Sequence, residues 1–161
     1  MVQSRTSAGA ATADGRRTST LQIRSATEAD VGELRPLWDA FTAEATFTPY
    51  PPAGFSSSLV REHTGLVAQD EGSIIGTLYL NTQNPGFGFV FGVYVVPEAR
   101  LSGVARSLMR EAARILRDQG TQYLVLGVDT DNHAARALYE RLGFVDAART
   151  LRASVDDLLE D

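Results

Sequence analysis

Val93-Tyr94-Val95-Val96-Pro97-Glu98-Ala99-Arg100-Leu101-Ser102-Gly103-Val104-Ala105 is the stretch on which the reading of this chain turns. Its apolar run ends at Pro97, which has no N–H for a sheet ladder and so marks the end of a strand. A short loop follows, Arg100-x-x-Gly103-x-Ala105, and then an amphipathic segment. That order predicts strand, turn, helix. Gly103 and the small Ala105 leave the amides at the helix start uncovered by side chains. Bare amides at a helix N-terminus form an anion site, and phosphate is the usual anion. Arg100 can add a guanidinium to the same oxygens.

The rest of the composition narrows the class. The 161 residues suit one domain with a proper core. Hydrophobic content of 43% and charged content of 22% are ordinary for a globular protein. There is no cysteine, hence no disulfide, thiol nucleophile or cysteine metal site. His63 and His133 are the only histidines, and no ligand-spaced carboxylate cluster stands in for more, so no metal is expected. A net charge of −5 and a pI of about 5.0 disfavour nonspecific nucleic-acid binding. All 15 basic residues are arginine, a compositional bias. No apolar run approaches the ~20 residues of a membrane span, and the start of the chain lacks an apolar signal core. The expectation is a cytoplasmic protein with neither nucleic acid nor membrane as partner.

Residues 1–19 are rich in Ser, Thr, Ala and Gly without hydrophobic period, and are expected to form a disordered extension before a single domain over 20–161. Leu21-Gln22-Ile23-Arg24 alternates like a half-buried strand. Thr27 or Asp30 can cap a helix carrying Val31, Leu34, Leu37, Trp38 and Phe41 at helical spacing. Pro36 predicts that this helix starts late or kinks. The segment from Thr46 to Phe55, with Pro49-Tyr50-Pro51-Pro52, reads as irregular, and Ser56 to Glu62 as a short helix. Leu66-Val67-Ala68-Gln69 and residues 74–80 read as strands joined by the turn Asp70-Glu71-Gly72. After a turn at Asn84-Pro85-Gly86, strict alternation places Phe87, Phe89, Phe91, Val93 and Val95 on one face of a long strand. Gly92 within it suggests a bulge.

Beyond Gly103 the helical stripe is Val104, Leu108, Ala112, Ile115 and Leu116, ended by Gly120. Tyr123-Leu124-Val125-Leu126-Gly127-Val128 is nearly continuous in apolar residues, as in a strand covered on both faces. Strand, crossover helix and strand imply a right-handed unit with parallel strands. A further helix carries Ala135, Leu138 and Leu142, stops at Gly143, and Phe144-Val145 begins another strand. The end of the chain, residues 154–161, reads as a short acidic helix.

Asn132-x-x-Ala135-x-x-x-Tyr139-Glu140-x-x-Gly143-Phe144 lies some 30 residues past the first motif. The two strings together resemble the Arg/Gln-x-x-Gly-x-Gly/Ala and Asn…Leu-Tyr-Glu-x-x-Gly-Phe signatures of the GNAT superfamily, acyl-CoA-dependent N-acetyltransferases. The resemblance covers the chain from about Leu21 to Leu151. It implies an α/β (α+β) fold: a mixed, mostly antiparallel central sheet flanked by helices, with a splayed parallel strand pair. It also implies acetyl-CoA as co-substrate and direct acetyl transfer to an amine of a small molecule or peptide. An alternative is an acyl-CoA-binding or sensing module with little turnover. Dimers are common in this superfamily, which leaves a homodimer open.

Residue by residue, the resemblance assigns the pantetheine arm to the backbone of Val93, Tyr94 and Val95, paired like an added strand. The Val95 amide becomes the candidate oxyanion donor. The diphosphate falls to Arg100, Leu101, Ser102, Gly103, Val104, Ala105 and Arg106. Tyr139 becomes the proton source for the departing thiolate, although a core tyrosine would read the same. Asn132 contacts the cofactor or holds an active-site water, or it is a plain N-cap, or both. Glu44, Phe47 and Tyr50 are candidate acceptor contacts. Many members carry a glutamate on one of the two central strands; the matching positions here are Phe91 and Gly127, and neither is a base. Asp129 is the best remaining carboxylate, with a turn role equally open to it and a water wire as the alternative base.

Overall fold

The computed structural model describes residues 20–45, 54–148 and 153–159. Residues 1–19 and the candidate contacts Phe47 and Tyr50 lie outside them. Five strands pair in chain order: β1 (Gln22–Ser25), β2 (Thr64–Asp70), β3 (Ser73–Asn81), β4 (Phe87–Val95) and β5 (Tyr123–Leu126). The first three junctions are antiparallel and β4·β5 is parallel, so the sheet is mixed and mostly antiparallel, as expected. The helices are α1 (Val31–Glu44), α2 (Ser58–Glu62), α3 (Val104–Asp118), α4 (His133–Arg141) and α5 (Val155–Leu159).

Two clusters of buried side chains flank the sheet. On one side α3 lays Val104, Leu108, Met109, Ala112 and Leu116 against Leu66, Leu78, Leu80 and Val90. On the other, α1 sets Leu34 and Trp38 against Val67, Ile74, Tyr79 and Phe55. At the chain's entry Asp30 is 7% exposed and nearly saturated. It accepts two Arg24 guanidinium bonds of 2.8 Å, the Thr27 amide at 2.7 Å and the Thr27 hydroxyl at 3.1 Å. This staple ties β1 to the start of α1, and the Arg24 bonds hold the Asp30 carboxyl far below the usual carboxylate range.

The alternation expected along β4 fails at Gly92. There Tyr79 faces Phe91 and Thr77 faces Tyr94, so Gly92 and Val93 together oppose one residue of β3. Gly92 has φ +58°, and a Cβ there would lie 2.8 Å from the rings of both Trp38 and Tyr79. Backbone and space both demand glycine. The extra residue reverses the parity: Phe91 joins the α1 side, while Val93 and Val95 pack on the α3 side. Phe87 to Val95 therefore do not share one face.

Three other expectations are corrected. Helix α1 does not start late: it runs from Val31 to Glu44 with Pro36 inside it. The carbonyl that Pro36 cannot bond belongs to Gly32, and both residues are exposed, so water can take its place. Strand β5 ends at Leu126 and is an outer strand of the sheet, with Tyr123 67% exposed, rather than one covered on both faces. Phe144-Val145 forms no strand, and Val145 is exposed.

Candidate active site

Strands β4 and β5 are zipped for four residue pairs, Phe87 with Tyr123 through Val90 with Leu126, and no further. β4 continues five residues beyond the last pair, to Val95. The parting coincides with the Gly92 bulge, since an inserted residue bends and twists its strand away from a neighbour. Past it, the Val96 amide bonds the Ile75 carbonyl of β3 at 2.9 Å. Alternate residues of an antiparallel ladder bond in opposite directions. Val95, one residue off, therefore turns its N–H and C=O away from β3, into the gap that β5 has vacated.

The chain then makes one 3-10 turn, Pro97–Ala99, and reaches the glycine loop. Leu101 is fully exposed, and both Leu101 (φ +61°) and Gly103 (φ +90°) are left-handed. Gly103 is the N-cap of α3 and brings no capping side chain. The space around its missing Cβ is open, so its backbone angle and not crowding calls for glycine. The first-turn amides of Val104, Ala105 and Arg106 thus receive no bond from the cap. Ser102 turns its hydroxyl back to the Ala99 carbonyl at 2.6 Å.

On the far side of the gap, the sequence after β5 lines a small cleft of about 60 Å³ with Gly127, Val128, Asp129, Asn132, Ala135 and Tyr139, closed by Ala45 from the end of α1. Asp129, Asn132 and Tyr139 are thus brought together. Asn132 is the N-cap of α4: its Oδ1 accepts the Ala135 amide at 3.1 Å, and its own amide bonds the Asp129 carbonyl at 3.0 Å. Tyr139 packs edge-on against Phe144, centroids 5.7 Å apart, and burial raises its pKa above that of a free phenol. A larger groove of about 400 Å³ lies at the other end of β5, between Arg117 and Tyr123, and holds no residue of either motif.

Arg100 does not stand free at the loop. Its Nε donates to the Val95 carbonyl at 2.9 Å, and its Nη2 reaches both oxygens of Glu44 at 2.9 and 2.7 Å. The pair spans 56 positions, and no sequence signal announces it. Phe91, where a base was looked for, is packed between aromatic rings: Tyr79 at 5.6 Å, Phe89 at 6.5 Å and the His63 imidazole at 5.2 Å. Among the described residues three buried side-chain atoms lack a hydrogen bond of good geometry: His63 Nδ1, and the Thr77 and Tyr79 hydroxyls, which have each other as polar neighbours. Sequence reading missed these, because the pairing of buried hydroxyls is a property of packing.

Comparison with known proteins agrees with this geometry. Residues 33–144 match the Acetyltransferase (GNAT) family. A mycothiol acetyltransferase of Nocardiopsis dassonvillei is 35% identical over 133 residues, covering 71% of this chain and 40% of that protein. One from Paenarthrobacter aurescens is 38% identical over 85 residues, 50% of this chain and 26% of that protein. The chain thus spans between a quarter and two fifths of these two relatives. Among solved structures, aminoglycoside N-acetyltransferase AAC(6')-Iy in complex with CoA superposes with a TM-score of 0.70 at 19% identity, over 86% of this chain and 97% of that one. A ribosomal-protein-alanine N-acetyltransferase from Brucella melitensis biovar Abortus 2308 gives 0.67 at 22%, over 84% and 100%. With both motifs in place around a parted strand pair and more than two thirds of its length matched, the chain belongs to the GNAT acetyltransferase family.

Proposed function

We propose that this chain transfers an acetyl group from acetyl-CoA directly to an amine. The observation that carries the reading is the parting of β4 from β5 after Val90 and Leu126, with the Val95 main chain facing the gap and Tyr139 in the cleft beyond it. In this reading the backbone of Val93, Tyr94 and Val95 grips the pantetheine arm as an added strand. The exposed amides from Leu101 to Arg106 take the diphosphate. The amine nitrogen attacks the thioester carbon, the Val95 N–H bonds the oxygen as it gains charge, and the C–S bond breaks. The Tyr139 hydroxyl gives its proton to the thiolate. A phenol with a raised pKa stays protonated at neutral pH and can serve that step. Asp129, the one carboxylate among the described residues lining the cleft, accepts the proton lost by the amine. The names of the relatives, which include mycothiol, aminoglycoside and N-alpha acetyltransferases, bracket the acceptor as a small-molecule or peptide amine.

Thiol release from acetyl-CoA over a panel of aminoglycosides, polyamines and peptide N-termini tests the reading. Tyr139→Phe is expected to lower kcat roughly 100-fold and to leave CoA affinity within about twofold. Equal kcat for mutant and parent would reject the role of Tyr139. A second reading, an acyl-CoA-binding module with little turnover, is favoured by the aromatic packing of Phe91, which leaves no carboxylate on β4 itself. CoA binding without thiol release for any amine would support it.

A further inference from the structure

Arg100 sits beside the amides offered to the diphosphate, yet its Nε and Nη2 are engaged elsewhere. It holds the Val95 carbonyl with Nε and the Glu44 carboxylate with Nη2, and its guanidinium lies over the Tyr94 ring, 5.5 Å from the centroid. The Tyr94 hydroxyl donates to Glu44 Oε1 at 3.4 Å. Burial and the Glu44 charge push the Tyr94 pKa up, so the phenol remains a donor. Glu44 is the last residue of α1, and its neighbour Ala45 lines the cleft with Tyr139. The contact therefore fastens the end of α1 to the gap-facing carbonyl of β4, one residue from the Ala45 that lines the cleft.

Two features mark this as a state that gives way. The cleft holds about 60 Å³, against roughly 300–1,000 Å³ for a small-molecule site. The Val95 carbonyl that would accept a bond from an added strand is already taken. The fastening is also weak: the Arg100 and Glu44 side chains are 42% and 50% exposed, and ion pairs in that position contribute little. A diphosphate carries more charge than a carboxylate and matches the guanidinium fork better.

We propose that Arg100 changes partners when the co-substrate binds: its guanidinium leaves Glu44 for the diphosphate, and the freed Glu44 carboxylate receives the ammonium of the acceptor. The proposal rests on the acetyl-transfer reading above and names the acceptor class as a cationic amine. Both side chains have a partner of opposite charge before and after: Arg100 with Glu44 in the free protein, then Arg100 with diphosphate and Glu44 with ammonium. Release also frees the Val95 carbonyl and unfastens α1 from β4.

The test is a titration with CoA by calorimetry, paired with steady-state kinetics using the fastest amine of the panel. Glu44→Gln, and Glu44→Ala as a second variant, are expected to bind CoA about two- to fivefold tighter, the size of one exposed ion pair. Both should raise the KM for the amine at least about fivefold at saturating acetyl-CoA. A merely structural role would weaken both substrates together. In an Arg100→Ala background the gain in CoA affinity from Glu44→Gln should vanish. Glu98→Gln, which removes an equal charge from an exposed residue of the same loop, should give no comparable gain. Unchanged or weaker CoA binding by both Glu44 variants, or the same gain without Arg100, would overturn the exchange while leaving acetyl transfer intact. Failure of the parent chain to bind CoA would remove the acetyl-transfer reading and this proposal with it.

Discussion

On the α3 side of the sheet the buried side chains are aliphatic, small or Met: Leu66, Leu78, Leu80, Val90, Val104, Leu108, Met109 and Leu116 among them. On the α1 side half of the buried side chains are aromatic, Trp38, Phe55 and Tyr79, beside Leu34, Val67 and Ile74, and polar groups are mixed in: the Asp30 staple, His63 Nδ1, the Thr77 and Tyr79 hydroxyls, and the Tyr94–Glu44–Arg100 contact at the rim. An aliphatic layer without polar atoms has nothing to satisfy and packs to a single arrangement. A layer with partly satisfied polar atoms is less stable for its area, and it can exchange partners. The difference teaches that the aliphatic face holds the sheet in shape, and supports Val93, Val95 and Tyr139 at its border, while the polar groups that can change partners gather on the other face.

That contrast can be broken in graded steps. The largest effect belongs to the aliphatic face. Leu108→Ala, at a fully buried position, should lower unfolding stability by about 3 kcal/mol in urea titrations, with kcat nearly unchanged. Next comes the Asp30 staple on the other face. Asp30→Asn should cost about 2 kcal/mol at pH 7, less than a fully buried pair because Arg24 is 29% exposed. Its pH dependence has a fixed sign. The folded-state carboxyl titrates well below an ordinary one, so its stabilisation is present above about pH 4 and is lost as pH falls through the folded pKa. The gap between parent and Asp30→Asn should therefore close in acid. The smallest effect is at Tyr79, whose fully buried hydroxyl has the Thr77 side chain as its polar neighbour. Tyr79→Phe should change stability by no more than about 1 kcal/mol. A larger loss would mean that the contact with Thr77 is a full hydrogen bond.

What could be read ahead of the structure follows the same division. Features set by one residue's backbone were legible: Pro97 after the last β4 residue, Gly103 at the entrance of α3, Gly120 after its end. So was the parallel pairing of β4 with β5, because a crossover helix admits little else. Met109 was missed from the stripe of α3, since its partners lie on other strands. The face of Phe91 was misread because one inserted residue at Gly92 reverses every side chain beyond it. The late start expected from Pro36 did not occur, since a proline whose orphaned carbonyl meets solvent can stay inside a helix. For the site, both motifs lie where the strands part. The Arg100–Glu44 contact was out of reach, as it joins residues through the fold and not through spacing.

The central claim, that unpaired main-chain groups between β4 and β5 and at the start of α3 hold the co-substrate, is tested most directly by amide resonances followed through a CoA titration. The amides of Val93, Val95, Gly103, Val104, Ala105 and Arg106 should shift with saturation and become protected from hydrogen exchange, while those lining the groove near Arg117 and Tyr123 stay unmoved. Saturable CoA binding that leaves the first set unperturbed would contradict the account.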